Sequence, residues 1–182
     1  MSGVTTSGGR VERDGAGTSL VFRRVLPYPV EVVWRELTDP DRLERWYGRW
    51  EGDPATGAVV VRLVAEGDVP AEPLRIDWCE PPSLLAVTVG GGGTGGGTAW
   101  PLTVALAAKG DGTEGDGEGD GTTLVFRHLL GPDVEGGDVG GIGAGWHYYL
   151  DRLEASLRDE PVPDDWDDYA GLAATYGPAH PA

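Results

Sequence analysis

Several residue types are scarce or missing in this 182-residue chain, and each gap excludes something. There is one cysteine, Cys79, so an internal disulfide and a cysteine-based zinc site are both excluded. Cys79 follows Trp78 in an apolar run and reads as a buried structural thiol. Asn and Gln are absent and Lys109 is the only lysine, a bias that looks like a GC-rich bacterial genome rather than a functional demand. No phosphate-loop lysine exists, since Lys109 has the wrong surroundings. No serine stands in a nucleophile elbow. Residues 1–17 lack an apolar core and so cannot be a signal peptide. The longest uncharged stretch, residues 81–108, carries seven glycines between positions 90 and 97, which rule out an apolar helix and hence a membrane span. A cytoplasmic location is the default expectation.

What is abundant is acid. The formal charge is -16, with 30 acidic against 14 basic residues. Residues 1–50 hold 8 arginines and 7 acids, so nearly all the excess lies beyond them. Such a surface repels phosphate backbones and anionic membranes, so neither nucleic acid nor a membrane is an expected partner. Seven Trp and six Tyr stand against two Phe. Rings with a polar handle suit surfaces that are apolar but partly wet, such as a pocket wall.

Periodicity sets the order of elements. Residues 1–17 read as a disordered tail and residues 18–26 as a strand. Val30, Val33, Trp34 and Leu37 then make one helical stripe behind Pro29. Thr38 or Asp39 caps a second short helix that carries Leu43, Trp46 and Tyr47. Period-two segments follow: Val59, Val61 and Leu63; Leu74, Ile76 and Trp78; Leu85, Val87 and Val89; Trp100, Leu102, Val104 and Leu106; Leu124, Phe126 and His128. Residues 109–121 form an acidic, glycine-rich hairpin insertion and residues 131–141 a loop. A long amphipathic helix is taken to start near Ile142, with Gly145-Trp146 at its opening, and its stripe holds Trp146, Tyr149, Leu150, Leu153 and Leu157. Asp151, Arg152, Glu154 and Arg158 lie mostly off that stripe. The tail, residues 161–182, spaces Trp166, Tyr169, Leu172 and Tyr176 so as to lie along the domain.

This gives an α+β fold with a curved antiparallel sheet of about six to seven strands, two short helices after the first strand, and a long C-terminal helix. The order resembles the START-like (SRPBCC), helix-grip superfamily. Within it the chain is similar to the activator of heat-shock-protein-90 ATPase homologue family, in its bacterial single-domain type. The matching pieces are PVEVVWRELTDPDRLERWYG (29–48), EPPSLL (80–85), GTTLVFRH (121–128) and GWHYYLDRLEASL (145–157). The domain so delimited spans residues 18–160. The glycine-rich insertions and the aromatic tail depart from the family's compact core. The resemblance implies an internal cavity for a small hydrophobic, aromatic or lipid-like molecule.

The cluster GGIGAG (140–145) superficially looks like a dinucleotide loop. No strand precedes it and no acidic residue closes a second parallel strand, so it reads as a flexible lead into the helix. A metal site on His128, His147 and His180 would need two rings on one side plus a carboxylate, which their spacing neither supports nor excludes. The expected ligand-binding residues are Trp34, Trp46, Trp78, Trp100, Phe126, His128, Trp146 and Tyr149. His128 and Tyr149 would supply polar contacts, and Arg24 also, if its strand face points inward. No catalytic residues, metal or cofactor are expected. A protein–protein role and a cyclase- or hydrolase-type enzyme stand as rival readings. Homodimerisation stays open, and a chaperone partner is not expected.

Overall fold

The computed structural model describes residues 8–91, 98–109, 121–131 and 139–176. The expected glycine block, the body of the acidic insertion, most of the loop before the last helix, the first seven residues and His180 lie outside these.

Eight strands form one antiparallel sheet: β1 Arg10–Asp14, β2 Gly17–Leu26, β3 Gly48–Glu51, β4 Ala58–Leu63, β5 Glu72–Glu80, β6 Leu84–Val89, β7 Trp100–Ala108 and β8 Thr122–Leu130. Their spatial order is β1-β2-β8-β7-β6-β5-β4-β3. Helices α1 Val30–Thr38 and α2 Pro40–Leu43 follow β2, and α3 Val139–Leu157 follows β8. Two single-turn helices, α4 Asp167–Ala170 and α5 Ala173–Tyr176, end the described chain. The curved sheet with α3 packed across it is the helix-grip arrangement, with one strand more than expected. Among the described residues no helix is long and apolar enough to cross a membrane.

Local chemistry explains these boundaries. Asp39 caps α2 by accepting from the backbone N–H of Asp41 and Arg42 at 3.0 and 3.1 Å, with Pro40 in the first turn. In β8, Thr122, Leu124, Phe126, His128 and Leu130 alternate inward. In β2, Leu20, Phe22, Arg24 and Leu26 share that inner side. Each large apolar side chain so buried contributes about 1.5–3 kcal/mol.

Three expectations are corrected by this architecture. Residues 10–14, read as part of a disordered tail, form β1, because their backbone pairs along the exposed edge of β2 from Arg10↔Val21 to Asp14↔Gly17. The last helix starts at Val139, so the glycine cluster is helical rather than a flexible lead. Its glycines are contact points: a Cβ on Gly140 would lie 2.4 Å from the Ala173 carbonyl oxygen, and one on Gly143 2.4 Å from the Tyr176 ring. Arg152, placed off the stripe, is buried. Its guanidinium donates to the Trp46 carbonyl at 2.9 Å, the Tyr148 hydroxyl at 3.1 Å and the Pro163 carbonyl.

Glu36 is a second buried charge, 1% exposed. It accepts from the Ser156 hydroxyl and from Arg42 at 3.2 Å, tying α1 to α3 and α2. Tyr176 is buried against Phe22 with ring centroids 5.6 Å apart, and its hydroxyl meets His147 Nδ1 at 2.6 Å.

Candidate functional site

The curvature of the sheet leaves space beneath α1 and α3, and that space is divided in two. The first cavity has a volume of about 310 Å³, within the range of small-molecule pockets. Its roof is Trp34 and Leu37 of α1, Leu43 and Trp46, and Trp146, Leu150 and Leu153 of α3. Its floor is Leu74 and Ile76 of β5, Leu85 and Val87 of β6, Leu102 and Val104 of β7, and Leu124 and Phe126 of β8. The exposed residues Pro54, Cys79 and Pro81 stand on its lining at the solvent side.

Four polar groups of this lining are engaged with the protein, while Trp34 Nε1 and the Tyr47 hydroxyl, which also line it, have no hydrogen-bond partner among the described residues. Trp46 Nε1 donates to the Glu36 carbonyl at 3.1 Å, Trp50 Nε1 to the Thr38 carbonyl at 3.0 Å, and Trp146 Nε1 to His128 Nδ1 at 3.1 Å. The Thr38 hydroxyl donates to the Trp34 carbonyl at 2.8 Å. These indoles therefore turn ring faces, not donors, to the cavity. No Asp, Glu, His, Lys or Arg lines it among the described residues.

A second cavity of about 640 Å³ adjoins the first. Tyr47, Leu102 and Trp146 line both, so they form the partition. Tyr47 and Trp146 are stacked, with centroids 6.2 Å apart and planes 19° from parallel. Trp100 and Tyr149 belong to the second space, and the Tyr149 hydroxyl donates to Glu66 at 3.1 Å. Burial, reinforced by Glu66 and Glu72, holds the Tyr47 phenol well above its ordinary value; burial and Glu66 do the same for Tyr149. Both stay protonated near neutrality.

The expected site residues thus separate. Trp34, Trp46, Phe126 and Trp146 line the first cavity, and Trp100, Trp146 and Tyr149 the second. His128 lines neither. It stacks on Trp100 at 4.7 Å and accepts from Trp146, behind the wall rather than on it. Trp78 points outward at 59% exposure. A β-bulge between Ile76 and Trp78 inserts one residue and reverses the alternation. As a result Cys79, expected to be buried, is exposed at the mouth of the first cavity. Arg24 does point inward but is held by Asp151 at 3.4 Å and Glu154 at 2.9 Å. Sequence reasoning omitted Tyr47, Trp50, Leu102, Glu66, Glu72 and Trp166. Tyr47, adjacent to Trp46, Leu102, in alternation with Trp100, and Trp166, in the aromatic spacing of the tail, carried local signals; Trp50, Glu66 and Glu72 carried none.

His128 gives the site a pH signature. Burial lowers its pKa from 6.5 to about 4, and its Nδ1 must stay unprotonated to accept from Trp146. Between those values the unfolded chain binds the proton and the folded chain does not. Stability is therefore complete above about pH 6.5 and is lost progressively as pH falls towards 4, by roughly 3 kcal/mol in total. Urea titrations at pH 7 and 5 should show this slope, and His128→Gln, which keeps an acceptor for Trp146, should flatten it. An unchanged slope in that variant would remove His128 from the account.

Comparison with known proteins adds the relatives. A family described as Activator of Hsp90 ATPase homolog 1-like protein matches residues 27–158. CalU16 from Micromonospora echinospora shares the fold, with 24% identity, TM-score 0.66 and 93% of each chain covered. A protein encoded by gene BPP1335 of Bordetella parapertussis is 27% identical, with TM-score 0.65 over 93% of this chain and 92% of that one. DynU16, from the dynemicin biosynthetic locus, is 25% identical with TM-score 0.64, over 80% of this chain and 50% of DynU16. No curated protein matches significantly.

Proposed function

The chain belongs to the Activator of Hsp90 ATPase homolog 1-like protein family, and from that premise we propose that it binds a small hydrophobic molecule in the first cavity without transforming it. One observation carries this reading: the cavity presents mainly hydrocarbon and ring faces, because three of its four indole N–H groups and the Thr38 hydroxyl are consumed by protein acceptors, leaving Trp34 Nε1 and the Tyr47 hydroxyl as its uncommitted polar groups. A ligand polar group buried away from Trp34 and Tyr47 would find no side-chain partner there, at a desolvation cost of about 1–3 kcal/mol. An apolar ligand gains by area alone. Burying roughly 300 Å² of its surface contributes about 7 kcal/mol before the cost of association. That sets an affinity in the micromolar range or weaker. General acid–base chemistry favours a group that titrates near the operating pH, and this lining holds no carboxylate or imidazole; its titratable groups are Cys79 at the mouth and Tyr47, whose phenol is held by burial well above its ordinary value. The likeness to a protein of the dynemicin biosynthetic locus makes small biosynthetic products a reasonable first ligand set.

Cys79 is the reporter. It is the only cysteine and stands at the cavity mouth. Titration with a neutral fluorescent apolar amine such as N-phenyl-1-naphthylamine should enhance its emission and slow alkylation of Cys79. Leu85→Trp, which fills the floor, should weaken binding more than tenfold while leaving the melting temperature within a few degrees. Undiminished binding in that variant overturns the proposal.

A further inference from the structure

The second cavity differs from the first in kind. Its walls include the rings of Tyr47, Trp100, Trp146, Tyr148, Tyr149 and Trp166. These meet edge to face as well as in tilted pairs: Tyr47 with Tyr149 at 5.1 Å and 66°, Trp100 with Trp146 at 6.5 Å and 63°, Tyr148 with Trp166 at 5.7 Å and 86°. Around them stand three carboxylates, Glu66, Glu72 and Asp164, all exposed. Among the described residues none of the three makes an ion pair, and no Arg, Lys or His lines the cavity. Arg152 lies nearby, 5.2 Å from the Tyr148 ring, where its Nε and Nη1 donate to Trp46, Tyr148 and Pro163, all neutral acceptors.

We propose that this second cavity is a binding site for an organic cation, a protonated or quaternary amine carried on an apolar or aromatic body. Aromatic faces are negative, so a cation within about 6 Å of several ring centroids is attracted by each. The carboxylates add negative charge that no ion pair within the described residues neutralises, and the buried guanidinium of Arg152, whose charge reaches Tyr149, offsets only part of it. The phenols of Tyr47 and Tyr149 stay neutral beside Glu66, so they contribute ring faces and hydrogen bonds without titrating. The whole molecule carries 30 acids against 14 bases, and such a field draws cations towards its clefts. An anionic ligand would meet the carboxylates unshielded. A neutral apolar ligand would gain nothing from them and has the first cavity available.

The test uses the full chain and three probes of one size: phenyltrimethylammonium, its uncharged carbon isostere tert-butylbenzene, and benzoate. Binding is followed by quenching of tryptophan emission and by ligand-observed NMR. In the Leu85→Trp variant, whose first cavity is filled, the cation should bind on the order of tenfold more tightly than the isostere, since a factor of ten is about 1.4 kcal/mol and several rings and carboxylates act together. Benzoate should not bind. The cation's affinity should fall with added salt. The double substitution Glu66→Gln, Glu72→Gln should weaken the cation about tenfold and leave the isostere unchanged; the amide that replaces the Glu66 carboxylate still offers Tyr149 an acceptor, so folding is retained. Trp166→Ala, at a half-exposed ring of the tail, should weaken the cation several-fold without touching the sheet. Equal affinity for cation and isostere in the Leu85→Trp background overturns the proposal, as does an unchanged cation affinity in the double variant. Leu85→Trp separates it from the first cavity's ligand: cation binding should survive that substitution, and its loss would place the cation in the first cavity instead.

Discussion

Trp146→Ala should destabilise the protein by about 4 kcal/mol, seen as a drop in the melting temperature on the order of 10 °C. Trp146 is 7% exposed and is the hub of the interior. Its ring lies 4.4 Å from Phe126, 6.0 Å from Tyr149 and 6.2 Å from Tyr47, centroid to centroid. Alanine removes those contacts, strips His128 Nδ1 of its donor and joins two cavities into one. Little of that volume can collapse, because sheet and helix hold the walls apart. Trp146→Phe keeps a ring but not the N–H, and should cost only about 1–2 kcal/mol. Urea denaturation separates the two variants. A Trp146→Ala protein within about 1 kcal/mol of the parent would show that the partition bears no weight. Ligand assays on Trp146→Phe then report on the pocket, free of the folding defect.

The second large effect lies in four glycines of α3, which should divide by sign when each is changed to alanine. In a helix interior, Gly→Ala ordinarily stabilises by about 0.5–1 kcal/mol through lost backbone freedom in the unfolded chain. Gly141 and Gly145 have nothing within 4 Å of an added Cβ, so both substitutions should raise stability. Gly140 and Gly143 face α5, where the added methyl would overlap the Ala173 carbonyl and the Tyr176 ring. Those two substitutions should lower stability by about 2–3 kcal/mol, as overpacking does, or push the tail off the domain. Limited proteolysis distinguishes the cases: a released tail is cut between residues 158 and 176. Four variants moving in one direction would mean that α5 does not sit on α3 in solution.

That pattern marks where sequence reasoning stopped. Periods of 3.6 and 2, with β-former content for β2, placed α1, the long helix and six of the eight strands, because each buries one face and must show it in its residues; β3 (GRWE), four residues at the far edge of the sheet, was missed. β1 (RVERD) was hidden, since an edge strand with mostly solvated side chains carries no apolar alternation. Trp78 looked inward by parity, and only backbone pairing reveals the bulge that turns it out. The glycines of GGIGAG looked like freedom, but two of them are contacts with a segment some thirty residues away. Buried charges were misjudged for a related reason. Glu36, Arg24 and Arg152 are polar in any periodic reading, yet each meets partners from distant elements. The ring-lined interior was visible in the aromatic excess, but its division by Tyr47 and Trp146 depends on side-chain packing. The carboxylates of the second cavity lie in loops or at a strand start, where solvation is the default reading.

The sheet order has a consequence for how the chain is made. β2 is the first long strand synthesised, but its neighbour is β8, the last, with Leu20 paired to His128. A ribosome adding about 5–20 residues per second needs roughly 5–20 s to cover the residues between them. During that interval β4 to β7 can zip locally as a meander. The β1–β2 hairpin meanwhile holds Leu20 and Phe22, wholly buried at the end, with no strand or helix to cover them. Nascent chains arrested before residue 130 should therefore be the sticky ones, held by chaperones or prone to co-aggregation. The same chains extended through α3 should release.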